Sequence, residues 1–482
     1  MRRTLIGFMS VAAGTIAACS LDITNPNSPT ESGALTSPRA AAIREIVGVL
    51  ATYRDNRAEQ IRAMGSFGRE TYYMFITDGR FITGPYRDWH KNNSFDAGTQ
   101  WAVRYGNYRN AYAAMKLINS TSALTAGEKA GALGVLKTFV ALDLLHVIEA
   151  RDSIGAVVDM TDDVNAVLPI VSRDSVYKWI SAKLDEAKAD LDTQGASFFF
   201  PMHSGFSAFG VAANTPAGFG QFNRAIKARV EVKRGSLGCG PACYTTALTA
   251  LGGTWVADLT TANRDQGVYV IYSTASGDLL NGASFTGDPN FYVHPQIDSI
   301  TGVASDDRYR HKVALATSAC GTAYPSPQTE VGVTATHRAC TYPTNVTSIP
   351  IIRNEELVLL RAEARWFTTD NAGATADLAR VRDSSGATNG GTAVVKFRTP
   401  AVDSEFVAEL LLQRTLSLYQ EGHRWVDYRR FNKLAELGTL TQDVTAGFTV
   451  APYSVLPSQE CDSRSRAGNP GGIPRSCPGG VP

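Results

Sequence analysis

The chain has 482 residues, 44% hydrophobic and 19% charged, with 46 Lys plus Arg against 45 Asp plus Glu. That is enough apolar material for one large or two ordinary domains, and it excludes a disordered chain. A formal net charge of +1 with no long basic run leaves no electrostatic footprint for a nucleic-acid protein.

Met1-Arg2-Arg3 precede an apolar run from Leu5 to Ala18, and Cys19 follows. A basic start, a short hydrophobic stretch and small residues before a cleavage point make residues 1–18 an export signal. The run is shorter than the roughly 20 residues a membrane-spanning helix needs. Ile16-Ala17-Ala18-Cys19 resembles a bacterial lipobox, in which the cysteine is acylated and becomes the new N-terminus. Ser20 rather than Asp follows it, which argues against retention at the inner membrane. The plainer alternative is an ordinary signal peptide that happens to end at a cysteine. Residues 19–38, polar and punctuated by proline, read as a lipidated N-terminus and tether. No later apolar run is read as long enough to span a bilayer.

The pattern is then helical to about Leu191. Ala40–Tyr53 is rich in Ala, Ile and Val, and Trp101–Ile118 carries Tyr105, Tyr108, Tyr112 and Met115 at three-to-four spacing. Leu133–Ile148 is strongly apolar. A further helix starts at Ser172 or Asp174, a fitting N-cap, and puts Val176, Ile180, Leu184, Ala187 and Leu191 on one face. One more covers Gln221–Lys233. From about 236 to 349 the chain is rich in Gly, Ser, Thr and Asn with short β-prone pieces such as Val268–Tyr272, a structured loop-rich lobe. Helix is expected again from Pro350, a good first-turn residue, through Arg365, then over Thr375–Arg382 and Ser404–Gln420, ended by Gly422. Residues 431–482 read as a loop segment. Helices on both sides of the lobe, about 39–235 and 350–430, make 39–482 one body. Its pattern suggests a tetratricopeptide-like stack without a clean repeat of roughly 34 residues.

Beyond Cys19, six cysteines remain: Cys239, Cys243, Cys320, Cys340, Cys461 and Cys477. An even number in an exported chain reads as disulfides. Proximity favours Cys239–Cys243, Cys320–Cys340 and Cys461–Cys477, although sequence cannot choose among the connectivities. A zinc site is the alternative for Cys239 and Cys243, but CxxxC lacks a second CxxC or HxxxH partner.

Four segments carry a family resemblance: Cys19-Ser-Leu-Asp22 through Asn25-Pro26-Asn27; Ala225-Ile-Lys227-Ala228-Arg229-Val230 with Gly235; Pro350-Ile-Ile-Arg353 through Ala362-Glu363-Ala364; and Gln413-Arg414 through Glu421-Gly422-His423-Arg424-Trp425-Val-Asp427-Tyr-Arg429-Arg430. In this order they resemble the SusD/RagB family of nutrient-uptake outer-membrane lipoproteins. Gln413, Thr415 and Ser417 depart from its usual charged residues, and Val157-Val158 from a common G-x-P turn. The resemblance implies a mainly α fold, a tetratricopeptide-like helix-pair superhelix with a loop-rich, weakly β lobe. It also implies no enzymatic activity; no cofactor is expected, and no residue is singled out as a metal ligand. The expected location is the outer membrane, lipid-anchored and exposed at the cell surface. The expected partners are a SusC-like TonB-dependent transporter and a glycan, oligosaccharide or peptide ligand. A secreted carbohydrate-active enzyme and a tetratricopeptide-like protein-binding scaffold are the alternatives.

A sugar site needs aromatic rings for the apolar faces of pyranoses and polar groups for their hydroxyls. The richest loop-like cluster runs from Tyr72 to Asn93, with Tyr72, Arg80, Tyr86, Trp89 and Asn92 as ligand-binding candidates, joined by Tyr292 in the lobe. Glu421, His423, Arg424 and Asp427 could be read as acid, base and clamp. Following a Leu-rich helix, they read better as structural Arg–carboxylate ties, as do Arg353 and Glu363. His146, inside an apolar run, reads as a core histidine.

Overall fold

The computed structural model describes residues 37–313, 327–387 and 398–480. The leader, Cys19, nearly all of the tether and Cys320 lie outside the described residues. Helices α1 (Pro38–Asp55) and α2 (Arg57–Phe67) open the body. Strand β1 (Thr71–Tyr73) and the short helix α3 (Arg80–Tyr86) follow. Next come α4 (Ala102–Ser120), α5 (Ala126–Arg151), α6 (Arg173–Asp192), α7 (Pro216–Arg234) and α8 (Pro241–Leu251). Each of α4 to α8 packs on the next, and α1 lies against α4 and α5. That succession is the tetratricopeptide-like stack.

The central helix α5 has a local reason to start where it does. Thr125 and Glu128 form a reciprocal capping box, which satisfies two of the amide donors a helix leaves open. Its body, from Leu133 to Ala150, is almost wholly buried. By length and composition this helix could cross a bilayer, contrary to the sequence reading, but its apolar surface is spent on α1, α4, α6 and α7. A Cβ at Gly134 would meet Leu191 Cγ at 2.6 Å and the Ala187 carbonyl oxygen at 2.9 Å, so glycine sets the close approach of α6.

The lobe contributes β2 (Gly267–Val270), β3 (Phe291–Val293), β4 (Gln328–Glu330), β5 (Val333–Ala335) and β6 (Ile349–Arg353). They form three antiparallel pairs, β1 with β3, β2 with β6 and β4 with β5. The helix expected from Pro350 starts later, because Ile349-Pro-Ile-Ile-Arg353 is the strand β6. Its β-branched residues are buried on both faces, and Pro350 stands opposite Tyr269 at the register shift after Val268. A bulge is where a strand tolerates a missing amide donor. Helix α9 (Asn354–Trp366) follows directly, then α10 (Asn371–Gly386), α11 (Asp403–Ser417) and α12 (Arg424–Arg430). Gly422, at φ +85°, makes the turn between the last two.

Two segments expected to be loop are partly helical. CGPAC holds the start of α8, with Pro241 in its first turn, a position where the absent amide costs nothing. The C-terminal segment contains α13 (Ser458–Arg466). Disulfides join Cys239 to Cys243 and Cys461 to Cys477, with Cα–Cα distances of 5.8 and 5.5 Å. Cys340 is also disulfide-bonded. The main core draws on both ends of the chain, from Ala42 through Leu142 and Leu360 to Cys477.

Candidate functional site

Strand pairing brings the two predicted aromatic clusters together, with Tyr72 opposite Tyr292 and Tyr73 opposite Phe291. It also turns most of their rings inward. Tyr72, Tyr86 and Tyr292 belong to a buried cluster with Met74, Ile82 and Phe448. Tyr72 donates its hydroxyl proton to Asp443, and Tyr86 donates to the Thr71 carbonyl at 2.9 Å. Burial, first of all, pushes both phenols up. His294 Nδ1 accepts from the Gln296 amide, so Nε2 carries the proton toward Asp443 at 3.0 Å. Burial lowers this imidazole to about 4, which keeps it neutral. These three tyrosines, expected to meet a ligand, instead hold β1, β3 and the C-terminal segment together. A period-two strand packed on both sides leaves its alternate rings no route to solvent.

Trp89 and Asn92 are half-buried ties. Trp89 Nε1 donates to Thr449 Oγ1 at 2.9 Å, and Asn92 Nδ2 donates to the carbonyls of Leu456 at 2.9 Å and Ser476 at 2.6 Å. Arg80 alone of the six is well exposed. Its guanidinium forks onto Asp78, at 2.9 and 2.7 Å, and lies 4.8 Å from the ring centre of Phe95.

Around Arg80 is an aromatic face that the sequence reading did not name. Past the end of β1 the chain leaves the interior, and Phe75 is 38% exposed, Ile76 73% and Phe95 40%. Phe81, on α3, binds them together with edge contacts to Phe95 at 4.3 Å, to Tyr73 at 4.9 Å and to Phe75 at 5.6 Å. Exposed rings locked by other rings present apolar area at little entropic cost. Beneath them Arg62 lies 5.0 Å from the Phe81 ring centre and pairs with Asp96 at 2.6 Å and with Glu59. Burial opposes the charge on Arg62, but the two carboxylates outweigh it and hold the guanidinium protonated. Arg62 Nη1 and Asp96 Oδ2 are buried without a partner among the described residues. The sequence signal for this face is Phe75-Ile76 directly before the turn-forming Thr77-Asp78-Gly79, two large apolar residues where a solvated turn would place polar ones.

The Glu421 to Asp427 cluster is interior scaffold. Glu421 accepts from Arg353 at 2.9 Å, Asp427 from Arg414 at 2.6 Å and Arg430 at 3.0 Å, and Arg424 Nη1 reaches the carbonyls of Gly68 and Arg69. His423 is partly buried, and desolvation lowers it to about 3. His146 hydrogen-bonds Tyr53 and Gln60 within the core.

Residues 316–454 match the model of the SusD family. No curated protein matches the chain. Among solved structures, a SusD superfamily protein of Bacteroides vulgatus is similar with a TM-score of 0.62 at 13% identity, covering 88% of this chain and 97% of that one. NanU of B. fragilis gives 0.56 at 16% identity, with 90% and 94% covered. A laminarin-binding SusD-like protein gives 0.56 at 15%, with 88% and 97% covered. At these identities the likeness establishes a shared fold.

Proposed function

We propose that this chain, which belongs to the SusD family, is a non-catalytic binding protein that captures glycans on the Phe75–Phe81–Phe95 face. The observation that carries this reading is the pair of exposed, ring-locked phenylalanines beside Arg80 and Asp78. Flat apolar area next to charged hydrogen-bonding groups is what a pyranose requires, with C–H faces on one side and hydroxyls at the rim. The laminarin-binding protein of the same fold supports a glycan over a peptide. The burial of Glu421 and Asp427 in ion pairs favours binding over hydrolysis, since a glycosidase needs two carboxylates flanking an accessible cleft.

Delivery to a SusC-like TonB-dependent transporter and anchoring to the outer membrane through an acylated Cys19 belong to the same reading. They rest on the family and on the leader sequence. Cys19→Ala should move the protein from the membrane to the soluble fraction, and unchanged partitioning would refute the anchor. Co-purification of the intact lipoprotein with a large β-barrel tests the partnership.

The ligand site is tested by titrating the mature protein with laminarin, other soluble glycans and peptides. Phe75→Ala and Phe95→Ala should each weaken saturable glycan binding by about tenfold, roughly 1.4 kcal/mol, with the fold retained. Full affinity in both variants would move the site elsewhere. Saturable binding of peptides alone would replace the glycan by another nutrient.

A further inference from the structure

Away from the aromatic face, a cavity of about 580 Å³ opens between α4, the segment 157–168 and α13. A second groove, of about 280 Å³, lies along the same helix, and Asp159 and Met160 line both. Hydrogen bonds hold the segment over α4. The Tyr105 hydroxyl donates to the Val157 carbonyl at 2.9 Å and accepts from its amide at 2.8 Å, and Tyr108 donates to the Val158 carbonyl at 2.9 Å.

The two recesses share a composition. Rings line both, Trp101, only 5% exposed, and Tyr105 in the larger and Tyr112 and Trp179 in the smaller. The charges balance. Arg464 is paired with Glu460 at 2.8 Å, and Lys137 and Lys183 with Asp190 and Glu186. Arg109, whose guanidinium donates to the Thr161 carbonyl, and Asp159 line the larger recess with opposite charges. Arg464 is 2% exposed, yet its Nε has no partner among the described residues.

From this geometry we infer a second binding site, for a short neutral oligosaccharide lying across Met160 with sugar rings in both recesses. The inference rests on the reading of the chain as a glycan binder but not on the aromatic face being its site. A recess of several hundred Å³ suits a ligand of two or three sugars. The length of the track favours a chain over a single ring. The balanced charge disfavours an anionic or cationic ligand, because neither sign is left over to neutralise it.

Gly106 gives a clean test. It lines the larger cavity on the exposed side of α4, and a Cβ there meets nothing within 4 Å, so Gly106→Phe fills the space without disturbing the helix. The mature protein is labelled with 5-fluorotryptophan, its Trp101 resonance identified through Trp101→Phe, and titrated with laminaritriose, cellotriose and maltotriose. The expected result is a saturable shift at Trp101 with at least one of these. That shift should persist in Phe75→Ala and weaken by about tenfold or more in Gly106→Phe. No shift from any of the three, an unchanged titration in Gly106→Phe, or loss of the shift in Phe75→Ala would each overturn the second site. A Trp101 shift with no binding at the aromatic face would leave this site standing while the site assigned above fell.

Discussion

Arg430 donates from Nη2 to Glu363 Oε2 at 2.7 Å across 67 residues of chain, tying α12 to α9. Its Nε donates to Asp427 at 3.0 Å, and Asp427 also accepts from Arg414 on α11 at 2.6 Å. All four side chains are buried. Burial alone would raise the Asp427 carboxyl, yet Arg414 and Arg430 hold it near 2. Asp427→Ala leaves two buried guanidinium groups short of their carboxylate, and truncating one partner of such a network costs about 3–5 kcal/mol. Urea unfolding should show that loss, whereas Asp78→Ala, at an exposed pair, should leave the midpoint where it is.

The same depressed carboxyls set the acid limit. Glu355 and Glu356 also sit at about 2, where burial is outweighed by Arg353 and Arg229 respectively. A carboxyl whose folded value lies below its unfolded one stabilises the fold above the unfolded value, and that contribution disappears as pH falls through the folded value. The unfolding midpoint should therefore drop steeply between about pH 4 and pH 2. A flat acid limb would contradict the ion-pair account.

Glu70 works in the opposite direction. It precedes β1, is 1% exposed, and has neither carboxyl oxygen partnered among the described residues. Burial raises it to about 8, with nearby Glu421 and Asp427 adding to the rise and Arg424 and Lys312 opposing it. A raised carboxyl contributes stability below the unfolded value and loses it as pH rises through the folded one. Glu70→Gln removes the titration, so the variant should overtake the parent above about pH 5 and lead by about 3 kcal/mol near pH 7. Equal pH profiles for the two proteins would show that Glu70 ionises freely.

Stability and ligand affinity should separate cleanly between neighbouring rings. Tyr72→Phe deprives Asp443 of a donor and Gln442 Nε2, at 3.1 Å, of an acceptor. A cost of about 1–3 kcal/mol in unfolding is expected, with glycan affinity unchanged. Phe75→Ala should do the reverse.

The contrast between Tyr72 and Phe75 marks where the sequence is legible. Periodicity located the helices of the stack because a buried face repeats every three to four residues, and the Ser172 N-cap is where that of α6 lies. The burial of Tyr72, Tyr86 and Tyr292 was not legible, since it depends on β1 meeting β3 across more than two hundred residues. Phe75 looks like a core residue until the strand is seen to end before it. Pro350 reads equally well as a helix start or as a bulge residue, and only its pairing with Tyr269 decides. The capping box Thr125–Glu128 was open to reading and gives the start of α5, earlier than the apolar run suggested. The interior role of Asp427 followed from the local pattern, because paired charges after a Leu-rich helix need partners from the next one, and Arg353 and Glu363 supply theirs from elements earlier in the chain.

The Cys461–Cys477 bridge pins α13, the outer wall of the larger cavity, to the following loop. Asn92 reinforces the same corner through Leu456 and Ser476. In the chain-entropy model a bridge across 16 residues stabilises by about 3 kcal/mol, and one across 4 by about 2. Replacing both Cys461 and Cys477 by Ala should therefore lower the unfolding midpoint more than the same change at Cys239 and Cys243. The effect should also be local. Amide exchange should speed up across α13 and residues 467–477 while α4 and α5, buried in the stack, keep their protection. Uniform acceleration through the helical body would mean that this corner supports the whole fold and not just the wall of the cavity.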